Sequence, residues 1–282
     1  MFQNKRLTAL AVVTAACMAL AACMLSPGKF TSALDVRKDG RFSFSYSGEI
    51  YMLALSKLAE MGNKDGGANF TPSPCYRNES SDERACTQSE IGDQKREWEE
   101  TRAASADKRK RDSDMMKAML GGIDPTEPRA AEEFAARLRR QAGWRRVDYK
   151  GDGLFDVDFA MAGRLDHDFT FPTIERLAIA NPFVQLSRRS DGTLRIDAPG
   201  FAANAGGEPF RAIMGAAAMS SERGDAMKYP PVDGTFTMTT DGALLANNTD
   251  EGPKPDPQGQ RLDWTINVRS TATPTALVRL EN

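Results

Sequence analysis

Residues 30–50 read FTSALDVRKDGRFSFSYSGEI, and this stretch decides the predicted fold. On both sides of Lys38-Asp39-Gly40, apolar side chains alternate with small or polar ones. Alternation with a period of two is typical of strands with one buried face, and Asp-Gly favours a tight turn between them. We therefore predict an antiparallel hairpin that begins at Lys29, followed by a short helix over residues 51–61.

The stretch 87–120 contains no proline and predicts one long helix. Between Ile91 and Asp112, 13 residues are charged, and only Ile91 and Trp98 are large and apolar. A helix that is polar on every side is not a core element, so we expect it to project into solvent with its apolar end, residues 115–120, docked. Acidic residues flank the basic run at 108–111, which therefore indicates a solvated face rather than a lipid or nucleic-acid contact.

A second helix is predicted to begin at the sequence Asp124-Pro125-Thr126-Glu127. Asp124 is the expected N-cap, the proline suits the first helical position, and a glutamate follows three residues after the cap. Phe134, Leu138 and the alanines between them predict its buried stripe, and Gly143 its end.

From Trp144 onward, β-like segments are separated by Asp-Gly turns and polar loops. They predict strands over residues 144–149, 154–161, 183–188, 194–196, 234–240, 243–246, 262–268 and 275–280. The small-residue segment at 198–228 predicts either a loop or a loosely packed helix over 209–219. We expect an α+β fold: one antiparallel sheet with helices, including one long polar helix, inserted after the first hairpin at about 87–142.

The N-terminus predicts export. Lys5 and Arg6 precede an uncharged apolar run over residues 7–22, which is shorter than the roughly 20 residues of a membrane-spanning helix. Residues 1–22 therefore read as a signal peptide, leaving a single periplasmic domain over 23–282.

Leu20-Ala21-Ala22-Cys23 matches the lipobox, so the chain resembles bacterial lipoproteins. This resemblance implies that Cys23 is lipidated after cleavage, Cys17 being a poorer match to the motif. Met24 stands where an aspartate would signal inner-membrane retention, which implies the outer membrane, facing the periplasm.

Cys75 and Cys86 are the remaining thiols of the exported chain. In an oxidising compartment such a pair predicts a disulfide, here closing a polar loop that burial could not order. Two metal-binding thiols are the alternative, but the neighbouring sequence offers no third ligand.

Composition excludes several classes of protein. A formal net charge of −2 argues against a nucleic-acid partner, and a mean hydropathy of −0.48 excludes a polytopic membrane protein. A single histidine excludes a multi-histidine metal site and makes a histidine-based triad hard to build.

Carboxylates crowd one predicted hairpin, at Asp148, Asp152, Asp156 and Asp158, and His167 follows. Their spacing departs from that of a calcium-binding loop, so we expect these carboxylates to form a polar outer face. The alternatives are a metal site at these carboxylates, or a hydrolase centre at Asp156, Asp158 and His167. We predict no catalytic residue, no metal and no cofactor.

Residues 23–30, followed by Leu34-Asp35-Val36 and the Lys-Asp-Gly turn, resemble alphaproteobacterial envelope lipoproteins. The predicted pairing of residues 234–237 with 262–266 resembles the LppM-type lipoprotein domain. That resemblance covers about half of the mature chain and implies a lipid-proximal hairpin, helices on an antiparallel sheet and contact with glycolipids. It carries over no site residue, and the long charged helix departs from it.

Three functions follow as hypotheses. The first is a non-enzymatic, lipid-anchored envelope protein with an accessory or scaffold role, whose partners are the membrane and an envelope protein or glycan. The second is a lipid- or glycolipid-binding module with an apolar cavity between the sheet and residues 209–219. The third is the carboxylate-dependent hydrolase.

Overall fold

The computed structural model describes residues 25–52, 55, 69–76, 83–124, 127–175, 177, 182–202 and 231–281. Within these ranges the chain forms strands, two helices and a short 3-10 turn at Pro199–Phe201. The strands are β1 Leu25–Val36, β2 Arg41–Met52, β3 Cys75–Tyr76, β4 Glu83–Arg84, β5 Trp144–Gly151, β6 Leu154–Arg164, β7 Phe169–Phe171, β8 Val184–Arg188, β9 Thr193–Asp197, β10 Asp233–Thr240, β11 Ala243–Asn247, β12 Lys254–Asp256, β13 Gly259–Ile266 and β14 Thr275–Arg279. The helices are α1 Gln88–Met119 and α2 Ala130–Arg139.

The predicted first hairpin is confirmed. β1 pairs antiparallel with β2, with Leu34 opposite Phe44 and Val36 opposite Phe42, and Gly40 adopts a positive φ of 83° in the turn. The apolar residues of both strands face inward and their alternating partners are exposed, as the period of two requires. The hairpin is therefore the centre of a larger sheet.

The fold contains helices and is dominated by mostly antiparallel strands, in agreement with the α+β prediction, but the strands form two main sheets where one was predicted. The seven-stranded sheet has the order β12-β13-β10-β1-β2-β6-β5, and the five-stranded sheet has the order β11-β14-β9-β8-β7. In addition, β1 pairs with β10 in parallel. A parallel pair needs a long crossover connection, and the roughly 200 residues between β1 and β10 supply it.

One hydrophobic core joins the two sheets. Phe171 of the five-stranded sheet lies 5.0 Å from Phe44 and 4.7 Å from Phe159 of the seven-stranded sheet, ring centre to ring centre. Phe201, in the 3-10 turn, extends this aromatic layer to Phe30 at 4.4 Å.

Helix α2 covers the part of the seven-stranded sheet near β5 and β6. The predicted stripe is buried, and the ring of Phe134 meets that of Phe155 edge to face at 5.4 Å. The predicted start is wrong, because the helix begins at Ala130 and Asp124 does not cap it. Pro128 explains the difference, since it lacks an amide proton and disfavours helical backbone at Glu127.

The remaining predictions on the fold have mixed outcomes. Strands occupy every segment predicted to be β after Trp144, and a further strand, β12, lies between the predicted strands at 243–246 and 262–268. Tyr51 and Met52, the first residues of the predicted helix over 51–61, belong to β2, and the rest of that segment apart from Leu55 lies outside the described residues. The signal peptide, Cys23 and residues 209–219 lie outside the described residues. Among the residues described, no helix is both long and apolar enough to cross a membrane.

Candidate functional site

Helix α1 is the most unusual element of the fold, and we call it the arm. At 1.5 Å per residue, its 32 residues extend about 48 Å. The prediction of one long polar helix is confirmed, since every arm side chain that the structure describes is exposed or half-exposed. Tertiary packing therefore does not explain why the arm is helical, and its two ends become important.

A disulfide-closed hairpin lies at the N-terminal end of the arm. Strands β3 and β4 pair antiparallel, and Cys75 is bonded to Cys86 across them. We call this unit the clip, defined by residues 75–76, 83–84 and the disulfide. Gln94 ties the arm to the segment before the clip, because its side-chain oxygen accepts the amide proton of Ser73 at 2.9 Å.

A capping box begins the arm. Glu90 accepts the backbone N–H of Thr87 at 2.8 Å, and the Thr87 hydroxyl accepts the Glu90 amide at 3.3 Å. Arg84 of the clip donates two hydrogen bonds to the same carboxylate, at 2.5 and 2.9 Å. The Arg84 guanidinium, followed by the Thr87 amide, lowers the pKa of Glu90 from 4.5 to about 2.

An aromatic contact supports the third and fourth turns of the arm. The ring of Trp98 lies 5.8 Å from that of Phe70, and the guanidinium carbon of Arg102 lies 5.0 Å from the centre of the Trp98 ring. Because a cation over an indole face is attracted to it, this stack stabilises the arm as far as Arg102.

A Schellman motif ends the arm. Gly122 donates to the carbonyl of Lys117 at 2.7 Å, Gly121 donates to that of Ala118, and Gly121 has a φ of 64°. Leu120 follows the last turn and is buried, with only 2% of its surface exposed. Docking is thus confirmed for Leu120, whereas the side chains of Met115, Met116 and Met119 are not among those described.

The sequence of the arm divides by charge. Residues 90–100 carry five acidic and two basic side chains, whereas residues 102–111 carry five basic and one acidic side chain. A helix fixed at both ends and exposed between them can bind a partner without ordering its own backbone first. Its charge pattern suits a partner that carries both signs of charge.

The crowded carboxylates do not form a metal site. Arg146 donates to Asp156 at 2.5 Å and to Asp148 at 3.3 Å, so a guanidinium occupies the space between the two carboxylates. These contacts raise the pKa of Arg146, with the Asp156 hydrogen bond as the largest cause. Among the described residues, no group of three or more acidic, cysteine or histidine side chains is close enough to hold a metal ion.

The residues of the hydrolase hypothesis lie far apart. His167 is exposed in a turn that follows Leu165, whose amide donates to Gly40 at the tip of the first hairpin. Asp156 lies near the start of β6, whereas Arg164 ends the strand just before His167. At 3.3 Å per residue, Asp156 and Arg164 are about 26 Å apart. The structure therefore does not bring His167 together with Asp156.

An apolar cavity lies under α2, where Leu25, Phe134 and Trp144 are among its lining residues. Its volume of about 10 Å³ is close to the volume that one water molecule needs. The cavity is therefore too small for an acyl chain. The larger cavity of the glycolipid hypothesis would involve residues 209–219, so that hypothesis stays a prediction.

Sequence reasoning missed the capping box and the role of Arg84. The signal for the first was present, since Thr87 and Glu90 have the spacing of the motif directly before the long helix. No sequence signal joins Arg84 to Glu90, because that contact depends on how the clip folds.

Comparison with known proteins adds little. No protein-family model matches the chain, and no curated protein is significantly similar to it. Among solved structures, the folded domain of the LppM protein of Mycobacterium tuberculosis, determined by NMR, is similar at 14% identity with a TM-score of 0.29, over 91% of this chain and 92% of that chain. The likeness to an LppM domain is distant.

Proposed function

We propose that this protein is a non-enzymatic, lipid-anchored protein of the cell envelope, in which the arm binds another envelope component. The observation that carries the proposal is the arm itself, a long charged helix fixed at both ends and exposed along its length. A fold that only needed stability would gain little from such a helix, because it buries almost no apolar surface.

The proposed anchor is supported by the lipobox and by the position of β1. β1 starts at Leu25, two residues after Cys23, and Leu25 has only 1% of its surface exposed. Two residues span about 7 Å, so a lipid on Cys23 would hold the folded body against the bilayer. Periplasmic orientation at the outer membrane is part of the same proposal.

Intact-mass spectrometry tests the anchor. We expect the protein purified from bacterial membranes to begin at Cys23 with acyl chains attached, and a Cys23→Ser variant to lack them. An unmodified mass for the parent protein would refute the anchor. Density-gradient separation of the two membranes then tests the proposed outer-membrane location.

Site-specific photocrosslinking in intact cells tests the arm. A photoreactive residue at Glu100 or Asp107, both exposed on α1, should give a discrete crosslinked product. Ser43 and Thr265, exposed on the seven-stranded sheet, are the matched control positions. Equal crosslinking at all four positions, or none at Glu100 and Asp107, would contradict a partner on the arm.

A further inference from the structure

A second charged surface lies on the edge strand β5 and the turn before it. Residues 139–150 contain five basic side chains and one acidic side chain, although the whole chain has a net charge of −2. The basic residues are Arg139, Arg140, Arg145, Arg146 and Lys150, and each of them is exposed. This local excess of positive charge is opposite in sign to the charge of the protein.

Two irregularities in β5 contribute to this exposure. The pairing with β6 shifts between Trp144 and Arg146 and again between Tyr149 and Gly151, which leaves Arg145 and Lys150 as unpaired extra residues. A bulge re-aims the side chain of its extra residue. Arg145 and Arg146 are consequently both exposed, although neighbouring residues of a regular strand face opposite sides.

Most of this charge is not neutralised within the protein. Arg146 is neutralised by Asp148 and Asp156, and Arg139 donates to the carbonyl of Val147 at 2.6 Å. In the described part of the chain, no carboxylate forms an ion pair with the remaining cations, which are Arg140, Arg145 and Lys150. We call the four residues Arg139, Arg140, Arg145 and Lys150 the basic edge.

The basic edge begins at the end of the seven-stranded sheet where β1 starts at Leu25. Leu25 is paired with Met52, and the Met52 amide donates to Gly153 in the β5–β6 turn, three residues from Lys150. Strands β1, β2, β6 and β5 are consecutive in the sheet, so three spacings, about 14 Å, separate β1 from β5. When the sheet is inclined to the bilayer, the basic edge and Leu25 can therefore both lie close to the same membrane surface.

We propose that the basic edge binds the anionic phosphate headgroups of the membrane and thereby sets the orientation of the anchored domain. This inference rests on the proposed anchor at Cys23. Headgroup phosphates match exposed guanidinium and ammonium groups in charge, and each basic residue near an anionic membrane strengthens binding about fivefold. The arm is then held at a fixed height and direction relative to the bilayer.

Vesicle co-sedimentation tests the proposal without the anchor. The protein is residues 23–282 with Cys23→Ser, which contains every residue that the structure describes and carries no lipid. We expect it to bind phosphatidylglycerol vesicles in a salt-sensitive manner and to ignore phosphatidylcholine vesicles. Excess inorganic phosphate should not displace it, because the edge spans several headgroups.

Matched variants assign the binding to this edge. Arg140→Gln, Arg145→Gln and Lys150→Gln together should weaken vesicle binding about 100-fold. The control combines Lys38→Gln, Arg189→Gln and Arg279→Gln, which removes equal charge near the tip of the first hairpin and should bind like the parent. A variant with Arg140→Lys and Arg145→Lys should also retain binding.

Equal loss in the two glutamine variants would overturn the proposal, as would parent protein that does not bind phosphatidylglycerol. Circular dichroism confirms that each variant is folded. Because lipidation is measured separately by mass, a chain that is lipidated but does not bind anionic vesicles refutes this inference alone. An unlipidated chain that binds through the basic edge refutes only the anchor.

Discussion

Replacing Phe30 tests whether the first hairpin organises the core. Phe30 lies at the centre of the seven-stranded sheet with 6% of its surface exposed, and its ring stacks on Phe201 at 4.4 Å and on Tyr46 at 5.4 Å. Its neighbours on the two adjacent strands, Gly48 and Gly234, are both glycines. The positions directly opposite Phe30 therefore offer no side chain to fill the space that Phe30→Ala would leave.

The expected loss follows from this environment. A buried Phe→Ala substitution lowers the free energy of unfolding by about 3–5 kcal/mol. Because Phe30→Ala also removes two aromatic contacts, we expect its effect to lie in the upper half of that range. About 4 kcal/mol corresponds to a fall in Tm of roughly 8–16 °C for a chain of this size.

Urea and thermal unfolding, followed by near-ultraviolet circular dichroism, measure this loss. Phe70→Ala is the matched control, because Phe70 is half-buried beside the arm and should cost less than about 1 kcal/mol. If Phe30→Ala cost no more than the control, Phe30 would not organise the core.

Three further predictions concern Gly48, Glu90 and the disulfide of the clip. Gly48→Ala should lower the free energy of unfolding in urea by more than about 2 kcal/mol, because at a φ of 142° its new carbon would lie 2.2 Å from a carbonyl oxygen of β1. The control, Gly92→Ala in an exposed turn of α1, should not destabilise the protein, and equal effects of the two substitutions would refute the backbone argument. Because the native pKa of Glu90 is about 2 rather than 4.5, the contribution of its carboxylate to arm stability is present above about pH 4.5 and is lost as the pH falls towards 2. Glu90→Gln should remove this part of the acid transition that far-ultraviolet circular dichroism follows, and an unchanged transition would contradict the prediction. Reduction of the Cys75–Cys86 disulfide should speed amide exchange in the first turns of the arm, since closing a loop of this size contributes about 3 kcal/mol, whereas unchanged exchange would show that the clip does not hold the arm.

The sequence predicted the elements whose signals are local. The first hairpin followed from a period of two on both sides of Lys38-Asp39-Gly40, and both strands are where that pattern places them. The arm followed from composition, because a proline-free stretch with so few apolar residues forms an exposed helix or none. The disulfide followed from counting thiols.

Features that depend on distant contacts were not predictable. The parallel pairing of β1 with β10 joins residues about 200 positions apart, and no local pattern specifies it. The contact between Arg146 and Asp156 depends on strand register, so a sequence shows the charges without showing that they neutralise one another. The start of α2 was wrong for a local reason, because Pro128 outweighs a good capping sequence four residues earlier.

The position of β1 in its sheet bears on how an anchored protein would resist force. β1 is the fourth of seven strands, hydrogen-bonded to β2 on one side and to β10 on the other. A force on an edge strand has to break the hydrogen bonds to one neighbouring strand, whereas a force on β1 has to break those to both β2 and β10. If Cys23 carries the lipid as proposed, tension from the bilayer enters the fold at a strand that is paired on both sides, not at an edge strand.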